Sequence, residues 1–569
     1  MPLPGFNKTV PQSDIFTTPT YRSELKTDGN DHEIRPAAHG TSDESDVQEP
    51  FVPLVDGLLL PYNEALPGLR AALSEIPKIF SQSKTTETIL QPVVQAGLDA
   101  LKCADRAGKL IVFSTVLPTF EAPGKLKSKN DRSLLGTEKE KTALVPQDES
   151  YTKLGEQCVK FGVTVDLFLF PSGFIDVATI GQLSAVSGGS IFKFQYFSAD
   201  KDGIRMLNEL ERHVSKKIAF DCMARVRTST GIRPITFTGS FYMENSTDLE
   251  FATIDESKAF VTEIKHDDSL KDPAAIIQTA VLYTSMTGQR RLRILNMCLS
   301  VTADYNQIYR LADPESLTTI MLKQGVQLNR DNGYANMKEN LLARCSQFLA
   351  TYREKCSEGA PLGQLILPES LKLMPLYVNS IVKNDAISGG SEMTVDDKVW
   401  QMELIRGIRT EDAMPLIYPR VMPVSDLQLQ ETDEMKELPK QVRASTEFFD
   451  NSKAYIIDNG VVLFVWIGSA VPQPWIQDVF GVGATNQIDT ESGVIPEKDN
   501  VHSRALRRII QLLPRGIRQR KTFVVVEKSG LEPWMKKFLV EDKPGSGTAT
   551  MSYVEFLVDV HRKIRDLIS

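Results

Sequence analysis

The sequence predicts a multidomain α+β chain, and three observations carry that prediction. Its 569 residues exceed what one hydrophobic core holds, since single cores stop growing near about 250–300 residues. A stretch of alternating strand and helix signals gives way to a run of strand signals and then to a run of helical ones. Near the C-terminal end an Asn-Gly pair separates two apolar runs, which marks a hairpin. With 41% apolar and 24% charged residues, the chain has the composition of an ordinary soluble globular protein.

Residues 1–48 are polar, rich in Asp, Ser, Thr and Pro, and lack periodicity, which reads as a disordered tail. The texture from Phe51 to residue 216 is α/β. Gln91 to Ala107 reads as a helix, and Lys109 to Thr115 as a strand buried on both faces. The unit repeats with a helix from Glu149 to Phe161 and a strand from Val163 to Phe170. Gly188-Gly189 then forms a turn before a short strand, Ser190 to Phe194. Between the first two strands, Ala122 to Arg132 is a charged loop too long for a standard connection.

Residues 217–306 switch to strands at Ala224 to Arg227, Ile235 to Met243, Lys258 to Lys265, Ile276 to Tyr283 and Gln289 to Ser300, the pattern of a β-sandwich. Residues 307–412 are helical, with Leu317, Ile320, Met321, Leu341, Leu342, Cys345, Phe348, Leu349 and Tyr352 at helical spacing. A Pro-containing passage, 413–439, reads as a linker. The hairpin from Ala454 to Ile467 centres a further domain over 440–545. Over 546–569, the residues Tyr553, Phe556, Leu557, Val560, Ile564 and Leu567 make one face of a terminal helix.

A net charge of -8 argues against a general nucleic-acid binder. The six cysteines form no Cys-x-x-Cys pair, which reads as a reducing compartment, and the six dispersed histidines assemble no zinc site. No apolar run reaches about 18 residues and no leader signal is visible, so the chain is expected neither to span a membrane nor to enter the secretory lumen.

What chemistry there is concerns recognition. In the extended segment Ala224 to Arg227, residues two apart share a face, so Arg225 and Arg227 present two guanidinium forks side by side. Such forks suit a carboxylate or a phosphate, or else a structural ion pair inside the sandwich. In Gln289 to Ile294, Arg291 and Arg293 share one face while Leu292 and Ile294 take the other. From Arg504 to Lys521 basic and apolar residues interleave. This is either an amphipathic helix with its charges in water or, through Arg507, Arg508, Arg515 and Arg518, a contact with an anionic membrane surface, where each cation contributes about 1 kcal/mol. His266-Asp267-Asp268 reads as a polar strand end, because no nucleophile motif accompanies it. No phosphate-binding or dinucleotide glycine pattern occurs, and no catalytic residue is assigned.

Several longer motifs resemble the Sec24 cargo-adaptor family of the COPII vesicle coat. They are Ala122 to Leu126 with Lys127, followed by Thr137 to Lys141; Val165 to Pro171; and Arg225 to Arg233. Lys265 to Asp268, Gly288 to Ile294, Gly363 to Glu369 and the ending Ile564 to Ser569 complete a co-linear series over roughly residues 49–569. The resemblance implies a non-enzymatic coat subunit that selects cargo sorting signals for endoplasmic reticulum to Golgi transport. It names the four regions a partial von Willebrand A-like α/β trunk (49–216), a β-sandwich (217–306), an all-α helical domain (307–412) and a gelsolin-like α/β domain (440–545). The details look closest to the branch that reads Ile-x-Met-type signals on membrane-fusion proteins.

The resemblance further implies a Sec23-type coat subunit, a Sar-type small GTPase, cytosolic tails of membrane cargo and fusion proteins, and an anionic membrane surface as partners. Nucleic acid is not among them. It makes the protein cytosolic and peripheral on coat and endoplasmic reticulum membranes. The family's acidic-signal site, carried over by position, falls on Arg225, Arg227 and Leu282. The family's Pro-rich arm, zinc ribbon and first half of the trunk have no counterpart, so no cofactor is expected and the zinc ion of that ribbon is not. That departure leaves a second expectation: a truncated relative acting as a cytosolic scaffold or competitor that binds cargo tails without full coat assembly.

Overall fold

The computed structural model describes residue 48, residue 50 and residues 59–569, apart from 136, 138, 358, 360, 362, 390–392, 428–434 and 545–549. The expected disordered tail, residues 1–48, therefore lies almost wholly outside the described residues. The chain is a multidomain α+β protein with trunk, β-sandwich, helical and gelsolin-like regions in that order.

The trunk is a parallel sheet of β1 (Gly108–Ser114), β2 (Val163–Leu169) and β3 (Ile191–Lys193) in the order β1-β2-β3. Every residue of β2 is buried, as its unbroken apolar run requires. Helices Gln91–Cys103 and Ser150–Lys160 cover the sheet. At the turn into β3 a Cβ on Gly189 would lie 1.9 Å from the Val165 carbonyl oxygen, so only glycine lets the two backbones approach there.

The sandwich pairs the sheet β6-β4-β8-β9 with a ribbon of β5 (Ile232–Thr238) and β7 (Val261–His266). The sheet comprises β4 (Ile218–Thr228), β6 (Asp248–Asp255), β8 (Ala274–Thr284) and β9 (Arg290–Ser300), all antiparallel. Two sequence expectations fail here. The strand expected from Ile235 to Met243 ends at Thr238, and β6 was not foreseen. The turn at Asn245 accounts for the second: its Oδ1 accepts from the backbone N–H of Thr247 and of Asp248, reversing the chain before β6.

In the helical region, Pro314–Asn332, Tyr334–Cys356, Met374–Lys383 and Val395–Arg406 surround Met321, Leu341, Cys345 and Leu349. The terminal helix Tyr553–Ile568 buries Phe556, Val560 and Ile564 in this same core rather than standing apart. Helix Val395–Arg406 ties the region to the trunk. Asp396 accepts from the backbone N–H of Ile175 and Val177, each at 2.8 Å, and Lys398 forms a buried ion pair with Glu140.

The gelsolin-like sheet runs β10-β11-β12-β13, from β10 (Arg420–Pro423) through β11 (Ala454–Asp458) and β12 (Val462–Ile467) to β13 (Lys521–Val526). The expected hairpin is present, with Gly460 at φ 84° in its turn. The expected linker 413–439 instead contains an edge strand, β10. Its prolines obscured it: Pro419 precedes the strand and Pro423 ends it, positions an edge strand tolerates.

Candidate functional site

Along β4 burial alternates: Cys222, Ala224 and Val226 point into the sandwich core with Leu249 and Phe251, so Met223, Arg225 and Arg227 point outward. Register then sets the neighbours. Met223 stands opposite Leu282, and Leu282 opposite Leu292, making one apolar row across β4, β8 and β9. Arg225 stands opposite Asp248 on one side and Ala280 on the other. Arg227 stands opposite Gln278, whose Nε2 donates to Asn296 Oδ1 at 3.0 Å. The structure thus brings Arg225, Arg227 and Leu282 onto one outward sheet face, from residues that lie up to 57 positions apart in the chain.

The two forks are not equivalent. Arg225 donates through Nε and Nη2 to both carboxylate oxygens of Asp248, which also accepts from Asn245 Nδ2 at 3.0 Å. Asp248 is 5% exposed, and the hydrogen bond from Arg225 holds its carboxyl below the usual carboxylate range. The same bond pushes the Arg225 guanidinium up. The ion-pair alternative weighed from the sequence therefore holds for Arg225. Arg227 is exposed and makes no hydrogen bond or ion pair among the described residues, and it acts on Asp248 only through its charge. A ligand carboxylate meets a free fork at Arg227 and an occupied one at Arg225.

Asp248 is the residue that the sequence alone did not disclose. Its signal was faint but readable: Asp248 to Ile254 alternates in a strand-like way directly after an Asn-Ser-Thr turn. Edge strand β9 carries exposed Leu292 and Ile294 on the Leu282 side of the sheet and Arg291 and Arg293 on the other.

The basic stretch is divided in its contacts. Arg508 and Arg515 are exposed, with Arg508 Nε donating to the Met435 carbonyl at 3.1 Å. Arg507 Nη2 donates to the Lys498 carbonyl at 2.8 Å. Arg518 is a correction to the expected membrane face: its guanidinium stacks on the Phe192 ring at 4.6 Å and donates to the Ile191 carbonyl at 3.1 Å. It turns inward because the Phe192 ring face and the Ile191 carbonyl at the start of β3, which also accepts from Trp400 Nε1, suit a planar fork better than solvent does. Arg520 is also consumed internally, on the fully buried Asp458.

His266 is exposed at the end of β7, and Asp267 pairs with Arg233 at 2.9 Å, in keeping with a polar strand end. Among the described residues no group of three or more His, Cys, Asp or Glu is placed to hold a metal ion, and no helix is long and apolar enough to cross a membrane.

Comparison with known proteins gives four domain matches in this order. The Sec23/Sec24 trunk domain matches residues 30–214, the Sec23/Sec24 beta-sandwich domain 219–302, the Sec23/Sec24 helical domain 313–415 and a gelsolin repeat 435–510. The chain is 42% identical to the human protein transport protein Sec24C, over 92% of this chain and 48% of that protein. It is 38% identical to human Sec24D, over 92% and 50% respectively. The crystal structure of the human COPII-coat protein Sec24c superposes with a TM-score of 0.87 at 41% identity, covering 92% of this chain and 70% of that one. The chain spans about half the length of the curated relatives it matches.

Proposed function

The chain belongs to the Sec23/Sec24 family, and on that footing we propose that it is a COPII vesicle-coat subunit that binds cargo sorting signals for transport from the endoplasmic reticulum to the Golgi. One observation carries the cargo-binding part: a free arginine, Arg227, shares an outward sheet face with the apolar row Met223, Leu282 and Leu292, which lies four residues away along β4 beyond Arg225 and Ala280. An extended cargo tail has the complementary pair of features, with an acidic group for the guanidinium and an apolar side chain for the row. Arg225 orders the site by holding Asp248, which keeps a negative charge in its place beside Arg227.

In this reading the protein is an adaptor and not an enzyme, and it needs no cofactor. Its partners are a Sec23-type subunit, a Sar-type small GTPase, the cytosolic tails of cargo and fusion proteins, and an anionic membrane surface met through exposed Arg508 and Arg515 with Arg507 at its rim. It works as a cytosolic protein peripheral on coat and membrane. The test is co-precipitation of the chain with a Sec23-type subunit. The reading expects a stable pair, and the absence of binding contradicts it.

A further inference from the structure

Strand β9 closes one side of the sandwich sheet. All 11 of its residues are exposed, and among the described residues no strand pairs with its outer edge. Its register with β8 is unbroken, from Ala274 opposite Ser300 to Thr284 opposite Arg290, so no bulge turns the edge away. Hydrogen bonds just beyond the two ends fix its parity. The Ser285 N–H donates to the Gln289 carbonyl and the Val301 N–H to the Pro273 carbonyl, each at 2.9 Å. Bonded pairs recur at every second residue of an antiparallel ladder, so the odd-numbered residues of β9 are tied to β8. The even-numbered ones, from Arg290 to Ser300, turn their N–H and C=O groups to the open edge.

The side chains make this edge apolar as well as unpaired. Leu292, Ile294, Leu295, Met297 and Leu299 are between 45% and 59% exposed. Leu295, Met297 and Leu299 lie on the inner face of the sheet, beyond the reach of the two-stranded ribbon β5–β7, whose Phe237 packs on the cluster of Cys222, Ala224 and Leu249. The devices that keep an edge from pairing, a proline, a lysine or an inward charge, are missing from Ile294 to Ser300. Arg290, Arg291 and Arg293 crowd the other end, and they decide what the edge accepts. A second β9 running parallel in register would set arginine against arginine. The antiparallel copy that pairs all 11 residues centres on Leu295 and sets each arginine against a neutral residue: Arg290 against Ser300, Arg291 against Leu299 and Arg293 against Met297. In that register even residues meet even residues, Leu292 with Cys298 and Ile294 with Asn296, as the outward N–H and C=O groups require.

We propose that two copies of this chain associate through β9, antiparallel about a two-fold axis at Leu295, joining their sandwich sheets into one continuous sheet. The strand is its own complement in hydrogen-bond parity, in charge and in length. A single strand edge about 37 Å long offers less than the standard interface of about 800 Å² per partner, so the association is reversible and depends on concentration. It does not rest on the cargo reading, because Arg227 lies on β4, two strands in from this edge.

The experiment is sedimentation velocity of the full chain in reducing buffer from about 1 to 100 μM, the range in which an interface of this size associates. The mass is expected to rise from monomer toward dimer. A monomer at every concentration overturns the proposal and leaves the edge to a strand of another chain. Ile294→Pro removes an outward N–H from each copy and keeps the bonds to β8, since an edge strand tolerates proline on its open side. It is expected to weaken association at least about tenfold with an unchanged unfolding midpoint, and dimerisation equal to wild type overturns the proposal. A second variant reads the register and decides the matter even should Ile294→Pro misfold. Leu292→Cys sets a thiol opposite the second copy's Cys298 with the Cα atoms about 5.5 Å apart, within disulfide reach. Diamide, which takes up the two thiol hydrogens, is expected to link two copies of this variant, but neither the wild type nor Leu292→Cys combined with Cys298→Ser. No link in Leu292→Cys, or a link that survives Cys298→Ser, overturns the proposal.

Discussion

Arg225 on β4 and Asp248 on β6 are register partners, and both nitrogens of one fork engage both oxygens of one carboxylate. The pair divides two arginines that look alike in sequence. One is tied into the sheet, and the other faces outward with its charge free. Asp248 is thereby placed as an internal acid beside Arg227, where a ligand acid would also bind.

Removing the tie leaves a nearly buried carboxylate with only Asn245 as side-chain partner. Arg225→Ala is expected to destabilise by about 1–3 kcal/mol, and adding Asp248→Asn to recover part of that loss. Arg227→Ala should leave the unfolding midpoint where it is. Thermal unfolding of the three variants reads this directly.

The Lys398–Glu140 pair is 1% and 3% exposed and joins the helical region to the trunk. Truncating one partner leaves a buried charge, so Lys398→Met is expected to cost about 3–5 kcal/mol. The double variant Lys398→Met with Glu140→Leu should regain most of it. Urea titration followed by tryptophan fluorescence distinguishes the two outcomes.

Lys323 is 2% exposed, donates only to the Arg406 carbonyl, and burial pushes its ammonium down to about 8. In the unfolded chain the group keeps its proton up to about pH 10.4. Between those values the unfolded state binds more protons, so this residue's contribution makes stability rise with pH across that window, and its full penalty is present below about pH 8. Lys323→Met is therefore expected to stabilise at pH 7 and to flatten this part of the rise up to pH 10. Unfolding free energies of both proteins at pH 7 and 9.5 check it, and a difference independent of pH contradicts it.

Arg508 and Arg515 are the exposed members of the basic stretch, and Arg518 is turned inward. If the stretch meets anionic lipid, each charge contributes about 1 kcal/mol, so Arg508→Glu and Arg515→Glu should each weaken vesicle binding several-fold. Sedimentation with phosphatidylserine vesicles measures this. Retained binding in the double variant contradicts the membrane contact.

Much of the fold was legible because its signals are local. The apolar run of β2, the Asn-Gly hairpin and the helical spacing of Met321, Leu341 and Cys345 each identify an element without reference to anything distant. The outward pairing of Arg225 and Arg227 was legible for the same reason, as a period of two. What depends on register was not. Asp248 reaches Arg225 across 23 positions, and nothing in the spacing of either residue announces the other. Arg518 misled because a basic residue in a basic stretch looks solvated, whereas Phe192, more than 300 positions earlier, supplies the surface that holds it. β10 stayed hidden behind prolines that mean an edge in one context and a linker in another.

The central claim is that Arg227, together with Leu282 farther along the same sheet face, reads an acidic and apolar cargo tail. Titration of a synthetic acidic sorting peptide into the wild-type chain and into Arg227→Ala tests it most directly. The account predicts binding at least about tenfold weaker in the variant, as loss of a charge-assisted contact of about 1.5–3 kcal/mol implies, with an unchanged unfolding midpoint. Equal affinity for the two proteins would contradict it.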